Sequence, residues 1–243
     1  MSVWAFIPAR GGSKSITKKN LARLGGLPLI NYGVNAVIKS GAFERVICST
    51  DDFEIANHSK SLGIEVDERP NELGLDSTPV ADVLMDFLSR NLDNLPDYIM
   101  LIQPTSPFIT SDQIKEIISK ATSDPKFKSA QTIYKHPHNF HAWNQRVSEN
   151  GLVRFFFEKE RKIAYNKQSK PALFVFGNLI LVRSSSILNG EGFFATPSLG
   201  IEIEWPYNLD VDGPNDLLIA SIILENKLVE LDEMSRKFDL HVL

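Results

Sequence analysis

Cysteine is nearly absent: Cys48 is the single one in 243 residues. That excludes an intrachain disulfide and fits a reducing compartment, so a cytoplasmic location is expected. Cys48 lies in the apolar run Val46-Ile47-Cys48 and reads as a buried core thiol. No stretch reaches the roughly 18 consecutive apolar residues of a membrane span, and no basic start followed by a long apolar stretch marks a signal peptide. An excess of positive charge is also missing. Lys and Arg number 26 against 30 Asp and Glu, a net charge of −4. Without an overall basic footprint, nucleic acid is not an expected partner. Neither a Walker A loop nor a Gly-x-Gly-x-x-Gly turn occurs, and there is no internal repeat, low-complexity segment or domain linker. One domain over residues 1–243 is expected.

What is present is an alternation. Short runs rich in Val and Ile, at Val3–Ile7, Arg45–Ser49, Ile64–Val66, Tyr98–Ile102 and Ser129–Tyr134, read as strands buried on both faces. Helical patterns lie between them, at Pro28–Lys39, Asp52–Leu62, Pro79–Asn91 and after an N-cap at Ser111. Strand followed by helix, repeated, predicts an α/β fold, a three-layer Rossmann-like sandwich with a mostly parallel sheet. After about Ser129 the rhythm changes. Val153–Phe157 and Phe174–Arg183 flank a polar stretch, and residues 135–175 are expected to form an antiparallel extension. A last helix is expected over Pro214–Leu231, with Leu217, Leu218, Ala220, Ile222, Ile223 and Leu224 buried.

The first strand empties into Ile7-Pro8-Ala9-Arg10-Gly11-Gly12-Ser13-Lys14, followed closely by Lys18-Lys19-Asn20. Loops at the carboxyl ends of strands carry the ligands of open α/β sheets. Gly11 and Gly12 let backbone N–H groups approach an anion, Arg10 offers a planar fork, and the lysines add point charges. The loop reads as a polyphosphate cradle or as a solvated basic surface loop. Near the C-terminus Asp210 and Asp212 flank Val211. In extended chain two such carboxylates share a side and suit a hard divalent cation, although one of them could simply cap the helix starting at Pro214. Asp216 suits the positive end of that helix. Thr105 and Ser106, between two prolines, read as turn residues.

The opening loop, with Lys19-Asn20-Leu21, resembles the N-terminal motif of the acylneuraminate cytidylyltransferases, the CMP-sialic acid synthetases. Ser49-Thr50-Asp51, Arg69-Pro70-x-Glu72-Leu73, Asp76, Gln103-Pro104-Thr105-Ser106-Pro107 and Asp210-Val211-Asp212 follow in the family's order. The resemblance implies transfer of CMP from CTP to the anomeric hydroxyl of a 2-keto sugar acid, with release of pyrophosphate. It implies catalytic roles for Arg10, Lys14 and Asp212, and a nucleotide site of Arg10, Gly11, Gly12, Ser13, Lys19, Asn20, Arg69 and Gln103. Mg²⁺ or Mn²⁺ would sit on Asp210 and Asp212. Gln103, Lys167 and Gly177 would face the sugar, Lys167 being equally readable as a solvated surface lysine. A homodimer through the mid-chain extension is implied as well. The cluster His136, His138 and His141 lacks the spacing of a metal site and reads as a loop near the sugar pocket.

The pattern breaks at Ser15, Thr17, Val80, Ile109, Phe176 and Asn178, mainly on the acceptor side. An unusual sugar acid, such as a legionaminate- or pseudaminate-like nonulosonate, is therefore expected. Two alternatives stay open here: a GT-A glycosyltransferase, which also uses a D-x-D, and a non-catalytic nucleotide-binding relative.

Overall fold

The computed structural model describes residues 1–164 and 166–234. Its strands, in chain order, are β1 (Val3–Pro8), β2 (Arg23–Leu24), β3 (Leu27–Pro28), β4 (Arg45–Thr50), β5 (Glu65–Glu68), β6 (Tyr98–Ile102), β7 (Ser129–Lys135), β8 (Arg146–Glu149), β9 (Leu152–Phe155), β10 (Phe174–Arg183) and β11 (Ser198–Ile203). The helices are α1 (Ile30–Ser40), α2 (Phe53–Ser61), α3 (Val80–Ser89), α4 (Ser111–Thr122), α5 (Glu158–Ile163), α6 (Ser184–Leu188) and α7 (Pro214–Glu225).

Seven strands form one sheet in the order β11-β7-β10-β6-β1-β4-β5. The alternation within β1 explains its central place. Val3, Ala5 and Ile7 pack with α1 and α4, while Trp4 and Phe6 pack with α3. All five are buried, so this strand needs cover on both faces, and the expected three layers result. Pairing is parallel except at β10, which runs antiparallel between β6 and β7.

Strand β10 corrects one expectation. Phe174–Arg183 does not belong to a separate antiparallel extension; its second half, Leu179–Val182, is fully buried in the main sheet. Between β7 and β10, the β8–β9 hairpin, helix α5 and short turns lie outside the main sheet, and the expected strand Val153–Phe157 is this hairpin's second arm, ending at Phe155. The register of β10 against β7 shifts between Phe176 and Ile180. At that bulge the Thr132 hydroxyl accepts from Asn178 N and Leu179 N at 2.8 and 2.9 Å.

Helix ends differ in detail. Thr110, not Ser111, caps α4, through a capping box with Gln113. Ser111 N donates instead to Asp232 at 2.7 Å, which fastens the chain's last described stretch across the start of α4. Helix α7 stops at Glu225, and only Ala220 and Ile223 are buried in it; Leu218 is 60% exposed, contrary to the expected extensive burial.

Candidate active site

The carboxyl ends of β1, β4 and β6 meet along one edge of the sheet, because these strands are parallel neighbours. A cleft of about 480 Å³ opens there. Arg10, Ser13, Lys14, Lys19, Asn20, Arg69, Gln103 and Asp212 line it, with Leu73, Asp76 and Val80 on the facing wall. Residues drawn from five places in the sequence thus share one space.

The loop after β1 is held in shape by its own polar groups. Asn20 is buried and its side-chain amide donates to Arg10 O at 2.9 Å, tying the two ends of the loop together. Gly11 N donates to Asp51 Oδ1 at 3.0 Å. This corrects the reading of Gly11 as anion-facing backbone, because its N–H already has a carboxylate; neither Gly11 nor Gly12 is among the residues that line the cleft. Gly11 is glycine for a packing reason, since a Cβ there would lie 2.8 Å from Asp52 Cβ. Ser15, the departure from the family pattern, donates its hydroxyl to Asp212 O and so links the loop to the D-x-D segment.

The cations come with partners. Arg10 and Lys14 both pair with Asp76, and Lys19 Nζ stands 3.3 Å from Asp212 Oδ1. Lys14, followed by Arg10, holds the Asp76 carboxyl below the usual range. Arg69 is different. It is only 8% exposed, and burial lowers its guanidinium from the ordinary value. One of its terminal nitrogens donates to Ser49 O, while among the described residues its Nε–H meets no acceptor.

Asp210-Val211-Asp212 is anchored through its middle. Val211 is fully buried, and its N–H donates to Thr105 O at 2.8 Å. The Thr105-Ser106 turn therefore supports the D-x-D, and both hydroxyls also reach Asp210. Asp210 keeps solvent-facing surface, yet crowding by the surrounding protein raises its carboxyl above the usual range, and the negative charge of Asp212 adds to this. Two carboxylates that repel each other beside a cation-rich loop fit a divalent cation. Among the described residues no cluster of three or more His, Cys, Asp and Glu could hold a metal, so this pair would need oxygens from a ligand or water. Asp216 caps α7, accepting from Gly213 N at 2.8 Å and from Asp212 N at 3.1 Å.

One expected sugar contact, Gly177, does not join the cleft lining. Gly177 is buried, and a Cβ there would meet Thr132 Oγ1 at 2.5 Å, so its glycine serves strand packing. The side chain of Lys167 lies outside the described residues. The histidines sit at the end of β7 beside a second pocket, lined by His136, His138, His141 and Lys170. His141 accepts from Trp143 N at Nδ1 and donates from Nε2 to Pro171 O, at 3.1 and 3.0 Å. Both ring nitrogens are thus used in shaping the loop.

The sequence profile of a family described as cytidylyltransferase matches residues 4–178. This chain belongs to the cytidylyltransferase family. The cytidylyltransferase is 27% identical over 231 residues to the CMP-N,N'-diacetyllegionaminic acid synthase of Legionella pneumophila, covering 93% of this chain and 97% of that one. It is 30% identical over 218 residues to an N-acylneuraminate cytidylyltransferase of Streptococcus agalactiae, covering 88% of this chain and spanning only 51% of that longer relative. In fold it is similar to a CMP:2-keto-3-deoxy-manno-octonic acid synthetase solved in complex with CTP, with a TM-score of 0.72 and 15% identity over 93% of this chain and all of that one. The glycosyltransferase alternative is set aside by the family match. Among the described residues no helix is long and apolar enough to cross a membrane.

Proposed function

We propose that this cytidylyltransferase activates a nonulosonate-type 2-keto sugar acid, joining its anomeric oxygen to the α-phosphorus of CTP while the bond to pyrophosphate breaks. The observation that carries the reading is the convergence of Arg10, Lys14, Lys19, Arg69, Gln103 and Asp212 on one cleft. Reactions of this kind are accelerated mostly by positioning and charge stabilisation. Arg10 and Lys14 bind the triphosphate and stabilise the charge that grows on the departing pyrophosphate. Arg69, which lines the cleft at the end of β4 and β5, donates from its guanidinium to an acceptor on the base. Gln103, at the end of β6, lies between nucleotide and sugar. Mg²⁺ or Mn²⁺ on Asp210 and Asp212 would supply charge neutralisation at the phosphate oxygens.

A homodimer through the β8–β9 hairpin completes the proposal. Leu152 and Val153 are 78% and 63% exposed on this hairpin, and Phe156 follows them on the surface. Exposed apolar side chains grouped on a protruding element mark an interaction surface. Sedimentation equilibrium tests it: a dimer is expected, and a monomer after Leu152→Glu with Val153→Glu. A monomeric unmutated chain would refute this part.

The main test is pyrophosphate release from CTP and Mg²⁺ with a panel of acceptors: N-acetylneuraminate, di-N-acetyllegionaminate, pseudaminate and 2-keto-3-deoxy-manno-octonate. Release with one nonulosonate well above the others is expected. Asp212→Asn should abolish release while CTP binding is largely kept. Release with none of them, or preference for UTP over CTP, would sink the reading.

A further inference from the structure

Asp76 is the acid that the cleft's two phosphate-directed cations share. Its Oδ1 accepts from Arg10 Nη1, and its Oδ2 pairs with Lys14 Nζ. Arg10 and Lys14 stand on the loop after β1, whereas Asp76 stands on the opposite wall, between the turn Asn71–Gly74 and α3. The bridge therefore crosses the cleft. The wall that carries Asp76 rests against the same acid that orders the facing loop: Gly74 packs so closely on Asp51 that a Cβ would lie 2.7 Å from Oδ2, and Asp51 Oδ1 accepts from Gly11 N. The hydrogen bonds of Leu75–Thr78 stay local, Thr78 N to Leu75 O at 3.1 Å and Thr78 Oγ1 to Glu72 O at 3.3 Å.

We propose that Asp76 is a stand-in anion for the triphosphate: it converges Arg10 and Lys14 on one point, draws the Leu75–Thr78 wall against the phosphate loop, and is exchanged for phosphate oxygens when nucleotide binds. The proposal rests on the reading of the cleft given above. The exchange is required by charge. A carboxylate and a phosphate oxygen that contact the same two donors would stand beside each other as like charges. The exchange is also cheap. Lys14 is 85% exposed, Arg10 and Asp76 are each more than a third exposed, and pairs of this kind are weak. A polyanion with several oxygens can replace one carboxylate at both cations, and the wall then moves away from the loop.

Two roles give opposite signs. A residue that only pre-positions Arg10 and Lys14 would help the anion, so that neutralising it weakens binding. A competing anion does the reverse. Calorimetric titration with inorganic pyrophosphate separates them: Asp76→Asn is expected to bind roughly threefold to tenfold more tightly than the unmutated chain, and Asp76→Glu about as the unmutated chain does. Unchanged, weaker or absent binding in Asp76→Asn overturns the proposal. A second measurement does not depend on affinity. Carboxyl-carbon NMR of Asp76 should show a titration below the ordinary aspartate range that moves up in Lys14→Met and on saturation with pyrophosphate. A titration that stays depressed with pyrophosphate bound overturns the exchange. Tighter pyrophosphate binding by Asp76→Asn in a protein that ignores CTP would support the exchange and refute the nucleotide reading instead.

Discussion

Asn178, expected from the sequence to border the acceptor, has a packing task in the structure. Its side chain is fully buried and makes three hydrogen bonds: Nδ2 to Gln113 Oε1 at 3.0 Å, Nδ2 to Tyr207 O at 2.9 Å, and Oδ1 from Thr132 Oγ1 at 2.9 Å. One amide thus joins the β10 bulge to β7, to the capping box of α4 and to the turn just before Asp210. Asn178→Ala removes all three bonds; Gln113 Oε1 keeps Thr110 N and the Thr132 hydroxyl keeps its backbone partners, whereas Tyr207 O loses its donor. At about 1 kcal/mol net for each bond, the loss is about 3 kcal/mol, to which the unpaired Tyr207 oxygen adds. For a chain of this size that corresponds to a Tm lowered by about 6–12 °C. Asn178→Asp sharpens the test. It places a carboxylate oxygen opposite two acceptors, so its pKa in the folded protein must lie above the unfolded value. The variant then loses stability as pH rises through that interval and recovers it on acidification. Urea unfolding of the three proteins at pH 5 and pH 8 decides the matter. A loss below about 1 kcal/mol for Asn178→Ala, or an aspartate variant indifferent to pH, would refute the reasoning.

Further outcomes follow from the same geometry. Gly11→Ala should cost about 1–3 kcal/mol and weaken CTP binding, since the new methyl meets Asp52 at 2.8 Å, whereas Gly12→Ala meets nothing within 4 Å and should be nearly neutral; thermal melts compare them. Cys48 is buried, and burial pushes its thiol up to about 11, so the folded protein should resist a thiol reagent at pH 7.5 and release one equivalent when denatured. Burial likewise raises Tyr32 to about 12. Its folded pKa exceeds the ordinary value near 10, so its contribution is complete below pH 10 and fades as pH rises towards 12. Alkaline unfolding of Tyr32→Phe should therefore be less steep across that window, and an unchanged slope would count against the burial argument.

The parts of this fold that could be read in the sequence are those governed by local pattern. The alternation in Val3–Ile7 demanded two covered faces and received them from α1 and α4 on one side and α3 on the other. The cap of α4 was misplaced by one residue because Thr110 and Ser111 both carry a suitable hydroxyl; Gln113, three residues after Thr110, was the deciding signal. Phe174–Arg183 was rightly given an antiparallel sense, but its neighbours β6 and β7 lie far back in the chain and no local pattern names them. Helix α7 misled for another reason. Its apolar residues run all round, so composition could not say which face would be covered. In the site, the cations, Gln103 and Asp212 were legible because motif order carried them. Asp76 was visible as a matching residue without a task, since its task exists only where two distant loops meet.

That task explains why a cleft suited to an anion is so rich in acids. Cations gathered without partners repel one another, and the loop that holds them would lose its shape. Here Asp76, Asp212 and Glu54 take Arg10 with Lys14, Lys19 and Lys18 respectively. Each acid is well exposed, so each pair is weak and yields to a stronger anion. Arg69 marks the limit of this arrangement. It is buried, it donates to the Ser49 carbonyl, and among the described residues it has no carboxylate ion pair and its Nε–H meets no acceptor. A group of that kind contributes little through charge that an exposed lysine could not. On the function proposed above, its value is geometric: a guanidinium fixed by the Ser49 carbonyl presents its other donors at one place. On that reading the exposed cations accept any polyphosphate, and discrimination between bases falls to the buried guanidinium.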